Sequence, residues 1–407
     1  MSTQSEFLGQ LLDASHAGHV FGEGVAFGEL EASRRAAIGA LTTDIMTGVT
    51  ERMHPVFRKA LPEMTSDDVD DKLQQMIVKA GVFMPALTVG ELIDDDDREL
   101  LTLATQSLCC MYGLDELTDR GDIKARLAIE RFTGVTKPFA GEVRQAAPAD
   151  ARGVTARVGI LKHMAACINK FAFTGDAPDV LECYDQRVLR NEARLQRLSD
   201  SYYDFPEIGR QAFLSQHAEH IADLMVADAG FQSVTASLHT IYRHKDIILP
   251  SIAELHSHSA IVRLLEVCNA VARVADERGD WWMDAGNDKR FGVFSINPFN
   301  EYHPAMVGRL CELAGIVDEA EVAALCGHFE AFSKADPADQ TTRDYHGNEV
   351  TSHFFQRMRD EVASLKDSLP GETYQRFSKY ITLCMRVGEI SFVNMMGDIH
   401  MSGAATA

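Results

Sequence analysis

Apolar residues recur at three- and four-residue intervals along most of the chain, the period of helices with one face turned inward. The pattern predicts one or two helices over 29–61, ending near Leu61-Pro62, and a strong helix over 99–117. Further helices are predicted over 122–132, 153–172, 178–201, 206–228, 231–245, 250–278, 304–314, 318–333, 349–367 and 371–396. Strand alternation is absent apart from a weak signal at 293–296. Gly, Pro, Asn and Asp mark loops at 134–148, 175–178, 284–298 and 334–347. The expected fold is all-α, a single large helical bundle over 1–407, with 1–28 a candidate flexible N-terminal segment.

Composition sharpens this only a little. Forty-six per cent of the 407 residues are hydrophobic and only 12 are proline, which suits a folded helical chain with a sizeable core. The formal net charge of −21 argues against a broad nucleic-acid or anionic-lipid surface. No uninterrupted apolar run is long enough to predict a membrane span, and the first residues lack a secretory signal pattern. The eight cysteines form no Cys-x-x-Cys pair and several sit in apolar helical stretches. A reduced cytoplasmic setting is expected.

The candidate chemistry lies in one acidic pattern written twice, Asp115-Glu116-Leu117-Thr118-Asp119 and Asp276-Glu277-Arg278-Gly279-Asp280. Each copy closes a mostly apolar helical stretch. Asp115 and Asp119 are four apart and share a helix face. Like charges at that spacing repel by about 0.2–0.5 kcal/mol, and the helix C-terminus disfavours anions as well. A bound divalent cation reverses both effects, and Mg²⁺ takes carboxylate, water and phosphate oxygens. In the second copy Asn269, Arg273, Asp276, Glu277 and Asp280 fall on one stripe beside the apolar Ile261, Leu264, Leu265 and Cys268. An inward polar stripe is costly unless it is satisfied. Either copy taken alone is more simply a solvated face; the pairing gives the metal reading its weight.

On these residues the chain resembles the class I isoprenoid synthases, the superfamily of terpene cyclases, prenyltransferases and squalene/phytoene synthases. The stretch ending in Asp115, Glu116 and Asp119 is similar to the first aspartate-rich motif, with Glu116 for the commoner second aspartate. The second motif reads in two registers. Asn269 and Glu277 match the terpene cyclase pattern, with Arg273 in the middle ligand position; arginine cannot ligate a metal. Asp276 with Asp280 is similar to the paired aspartates of the squalene/phytoene branch.

The resemblance implies a class I terpene synthase bundle holding three Mg²⁺ ions, with a prenyl diphosphate as substrate and a homodimer as a candidate assembly. Asp115, Asp119 and Asp276 would be the catalytic metal-holding carboxylates, with Glu116, Asn269, Glu277 and Asp280 completing the ligand set. It implies ionisation of the diphosphate and cyclisation of the cation, or coupling of two prenyl chains. Arg243, Lys289 and Arg290 are the candidates to bind the diphosphate; Arg187, Arg190 and Lys245 stand nearby in sequence. No arginine stands at the family's sensor distance before the second motif, where Asp223 lies close. Arg343-Asp344-Tyr345 and Arg376-Phe377 are loose substitutes for a late Arg-Tyr pair. Trp281 and Trp282 follow the second motif, either as a cavity cap or as core.

A second class of function is a helical di-iron oxygenase. His217, His220, His239, His244, His256 and His258 cluster in sequence, but no Glu-x-x-His pair accompanies them. A helical interaction protein without catalysis is the third reading. No phosphate-binding Gly-rich loop, nucleophile elbow or dinucleotide fingerprint occurs.

Overall fold

A computed structural model describes residues 32–60, short stretches within 98–106 and 194–203, 206–229, and most of 250–282 and 296–384. Among these residues 85% are helical and none is in a strand. The fold is all-α. The chain divides into two compact units.

In the first unit, α1 spans Ala32–Ala60 as one continuous helix despite Pro55 in its last two turns. Leu41, Ile45, Val49 and Met53 recur every fourth residue and are all buried. Arg98 pairs with Asp44 of α1 at 3.0 Å. Arg52 reaches the buried Gln106 at 3.3 Å.

The second unit holds α2 (Glu207–Asp228), α3 (Ser259–Trp282), α4 (Pro304–Leu313), α5 (Glu319–Lys334) and α6 (Gln340–Ser368), followed by helix over 371–378. α3 is its central element, packed along α6 and against α2 and α4. Val267, Cys268, Asn269, Ala270 and Val271 are all buried, so a full turn of α3 has no solvated side. α2 lies along α4, where Arg309 bonds Asp223 at 2.7 Å and Glu312 at 2.6 Å. α5 packs on α6. Phe299 meets Phe329 and Phe332 with ring centroids 4.6 and 4.9 Å apart, and Trp281 meets Phe332 edge-on at 5.6 Å.

Local chemistry explains the helix ends. Asp318 accepts the Glu321 N–H at the start of α5, whose first turn is acidic and whose last turn carries Lys334. α4 closes on Gly315 at φ +80°, with Gly315 N–H bonded to Glu312 O and Ile316 N–H to Cys311 O. That pair of bonds is the left-handed C-terminal cap that favours glycine.

Two expectations from the pattern need correcting. The helix expected over 250–278 is interrupted: 254–255 are helical, the chain turns at Ser257, whose N–H and hydroxyl both bond Glu254 O, and α3 starts at Ser259. It also runs on to Trp282, so all of 276–280 is helical. The loop expected over 334–347 is helix from Gln340 onward. Asp339 accepts both the N–H and the hydroxyl of Thr342 at 3.1 and 2.7 Å, an N-cap that the neighbouring polar residues hid.

Candidate functional site

The second acidic motif is built on the last three turns of α3. At 100° per residue, Asn269, Arg273, Asp276 and Glu277 share one stripe. Their environments differ. Asn269 is buried, the Glu277 side chain is 2% exposed, and Asp276 sits at the rim with its side chain 38% exposed. Arg273 joins the two acids, with Nη2 2.5 Å from Glu277 Oε1 and Nη1 3.4 Å from Asp276 Oδ2. The guanidinium therefore takes the place of a cation at the Glu277 carboxylate. It is permanently charged and offers no lone pair. The Asn269/Glu277 register does not fit Mg²⁺ while Arg273 holds Glu277. Asp276 retains an exposed carboxylate edge and fits a hard cation better.

The opposing charge at the end of α3 is answered by the following segment. Asn297 is buried; its amide donates to Glu277 O at 2.8 Å while its Oδ1 accepts the Phe299 N–H. Asn300 donates to Trp281 O at 2.6 Å. Two side-chain donors thus meet the carbonyl end of the helix, where the dipole is negative. Nearby, Tyr202 and Tyr203 both donate to Glu301, the second at 3.3 Å.

On the opposite face of α3 lies Arg278, 1% exposed, which the acidic reading of the motif overlooked. Its Nη2 bonds Asp344 at 2.6 Å, and its stem lies over Gly347 of α6. Arg343, also buried, stacks 4.0 Å above the Trp281 ring and donates to Ala335 O at 2.9 Å. Both guanidiniums also flank Phe332. The late Arg343-Asp344 pair is thus brought onto the end of the second motif's helix. Burial pushes the Arg278 guanidinium below its ordinary range, against the opposing pull of Asp344. A charged residue at Val274 + 4, on the apolar face, was the signal available in the sequence. Trp281 is packed into this core.

The other candidates divide in two. Asp115, Glu116, Asp119, Arg243, Lys289, Arg290, His239, His244 and His256 lie outside the described residues, as does the side chain of Asp280. Arg376 forms an ion pair with Glu254 at 2.7 Å, and Asp223 belongs to Arg309. Of the histidines proposed for iron, His217 lies against Phe213 at a tilt and His258 meets Phe377 edge-on. Among the described residues no group of three or more His, Cys, Asp or Glu side chains is arranged to hold a metal ion. No helix described is long and apolar enough to cross a membrane. Compared with protein-family models, curated proteins and solved structures, the chain matches none.

Proposed function

We propose that the chain is a class I isoprenoid synthase that ionises a prenyl diphosphate with the help of Mg²⁺ and cyclises the resulting cation in an apolar, water-excluded interior. One observation supports the reading most: a central helix, buried all round over a full turn, carries Asn269, Arg273, Asp276 and Glu277 on one stripe. Buried polar residues are costly, and their concentration on one stripe is more easily explained by a site than by packing. Asp276 is the proposed metal ligand on α3; Asp280, Asp115, Glu116 and Asp119 are proposed as ligands from the sequence resemblance. Bound Mg²⁺ would supply positive charge to the departing diphosphate oxygens. Arg273 holds Glu277 and also contacts Asp276. Arg243, Lys289 and Arg290 are the proposed diphosphate contacts. Substrate, cytoplasmic location and a homodimeric state all belong to this proposal.

A second reading, head-to-head coupling of two prenyl chains, is favoured by the same geometry. Asp276 is half-exposed and Glu277 is held by Arg273, which is the register resembling the squalene/phytoene branch.

The test is incubation of the full chain with Mg²⁺ and prenyl diphosphates of several lengths. Release of diphosphate with a cyclised hydrocarbon or alcohol supports the cyclase; a doubled chain supports coupling. Asp276→Asn should abolish release while Glu277→Gln retains part of it. Absence of diphosphate release with every substrate defeats both readings.

A further inference from the structure

The carboxylate stripe of α3 is not the only place where ligand-type side chains meet. His328 of α5 and His346 of α6 face each other with their Nδ1 atoms 2.9 Å apart. Two nitrogens bound at about 2.0–2.1 Å to one ion, at right angles, lie about 2.9 Å from each other. The pair is therefore spaced as adjacent ligands of a tetragonal metal ion, closer than the separation a tetrahedral ion gives.

The surroundings suit that use. α6 carries His346, Glu349 and His353 at positions i, i+3 and i+7, which share one helix face. His353 donates its Nδ1–H to the Glu349 carbonyl at 2.8 Å. That bond fixes its tautomer and leaves a lone pair on Nε2. Both Glu349 and His353 lie close enough to influence the charge of His328. Burial, and then His346, holds the His328 imidazole below its ordinary range, toward the neutral form that binds metals. Tyr345 is exposed and sits beside both rings, with centroids 6.0 Å from His328 and 5.0 Å from His346. All four polar residues are half-buried, so an ion and its waters have a path to them.

We propose that His328 and His346 form a binding site for a divalent transition-metal ion of the Cu²⁺ or Ni²⁺ class, clasping α5 to α6. Imidazole nitrogen and right-angled geometry select these ions over Mg²⁺, which prefers oxygen. In the metal-free chain the Nδ1–H of one ring donates to the Nδ1 of the other; on binding, the donor ring gives up that proton and takes one up at Nε2, so both rings reach the Nε2–H tautomer with no net change in bound protons. The two imidazoles are the protein ligands and water fills the remaining positions. The site is independent of the proposed diphosphate chemistry.

The full chain, without a histidine tag and stripped with a chelator, is titrated with CuCl₂ by calorimetry, and its Cu²⁺ form is examined by electron paramagnetic resonance. The expected result is stoichiometric binding, nitrogen hyperfine structure from two imidazoles, and a raised Tm that Mg²⁺ does not reproduce. His346→Ala and His328→Ala should each lose the two-nitrogen signal. His220→Ala, at an exposed position on α2, should change nothing. Wild-type protein that binds no Cu²⁺ stoichiometrically, or that shows no two-nitrogen signal, overturns the proposal without recourse to any variant. So does a signal that persists in the His328→Ala/His346→Ala double variant.

Discussion

Arg273 Nη2 lies 2.5 Å from Glu277 Oε1, one helical turn further along α3, and the carboxylate it holds is almost wholly buried. The sequence offers Arg273 as the residue that spoils a metal motif. In the fold it is the cation that makes a buried glutamate tolerable.

Removing one partner of such a pair is expected to cost more than removing both. Arg273→Met leaves the Glu277 charge without its guanidinium and should destabilise the chain by about 3 kcal/mol. Arg273→Met/Glu277→Leu should recover most of that loss, because no buried charge remains. Urea denaturation of the single and double variants checks the order. Equal losses in both would show that the pair contributes little.

Gly347 is required by Arg278. A Cβ at 347 would fall 1.8 Å from Arg278 Nε and 2.5 Å from Cδ. Since Arg278 is enclosed, Gly347→Ala should cost about 1–3 kcal/mol through overpacking. In an Arg278→Leu background the same change should be nearly neutral. Thermal unfolding of the four combinations measures this coupling.

Asp344 is the ion-pair partner of that buried arginine, and Gln340 also donates to it at 2.8 Å. Asp344→Ala strands the Arg278 charge and should lower stability by about 3 kcal/mol. Asp344→Asn keeps an acceptor oxygen and should lose less. Chemical denaturation midpoints separate the two; equal losses would assign the effect to packing alone.

Acid should loosen α4. His303 Nδ1 accepts the Ala305 N–H at its N-terminus, and Nε2 lies 3.2 Å from the Ser215 hydroxyl. Accepting that N–H requires a ring neutral at Nδ1. Burial holds the His303 imidazole below its ordinary range. The unfolded chain therefore takes up a proton near the ordinary value of about 6.5, while the folded chain resists until lower pH. Stability should be intact above that value and decline as pH falls from it toward the lowered folded value. His328, held low for the same reason, adds to the slope. Tm measured against pH should show the decline. His303→Asn, which caps without titrating, should flatten it.

Much of the helical layout was legible in the sequence because periodicity and capping are local. The helices at 206–228, 304–314 and 318–333 were expected within a residue or two of where they lie, and the apolar stripe of α1 is visible as Leu41, Ile45, Val49 and Met53. Failures arose where one side chain changed a local balance. Asp339 starts α6 ahead of the apolar period, and a turn at Ser257 divides the helical 254–255 from α3. The membership of the α3 stripe also follows from spacing alone.

Which of those stripe residues is dry does not. Asp276 and Glu277 are neighbours in sequence and of the same charge, yet one lies at the rim and the other inside. That difference comes from what packs against α3, which spacing along one helix cannot encode. Arg278 reads as surface until Asp344, Phe332 and Gly347 surround it, and His328 meets His346 only because α5 folds back on α6. The sequence by itself determined the helices and the residues that share their faces, through short-range hydrogen bonding and side-chain period. Burial, and the charge pairs that join different helices, were decided by helices packing together, because desolvation depends on every neighbour at once.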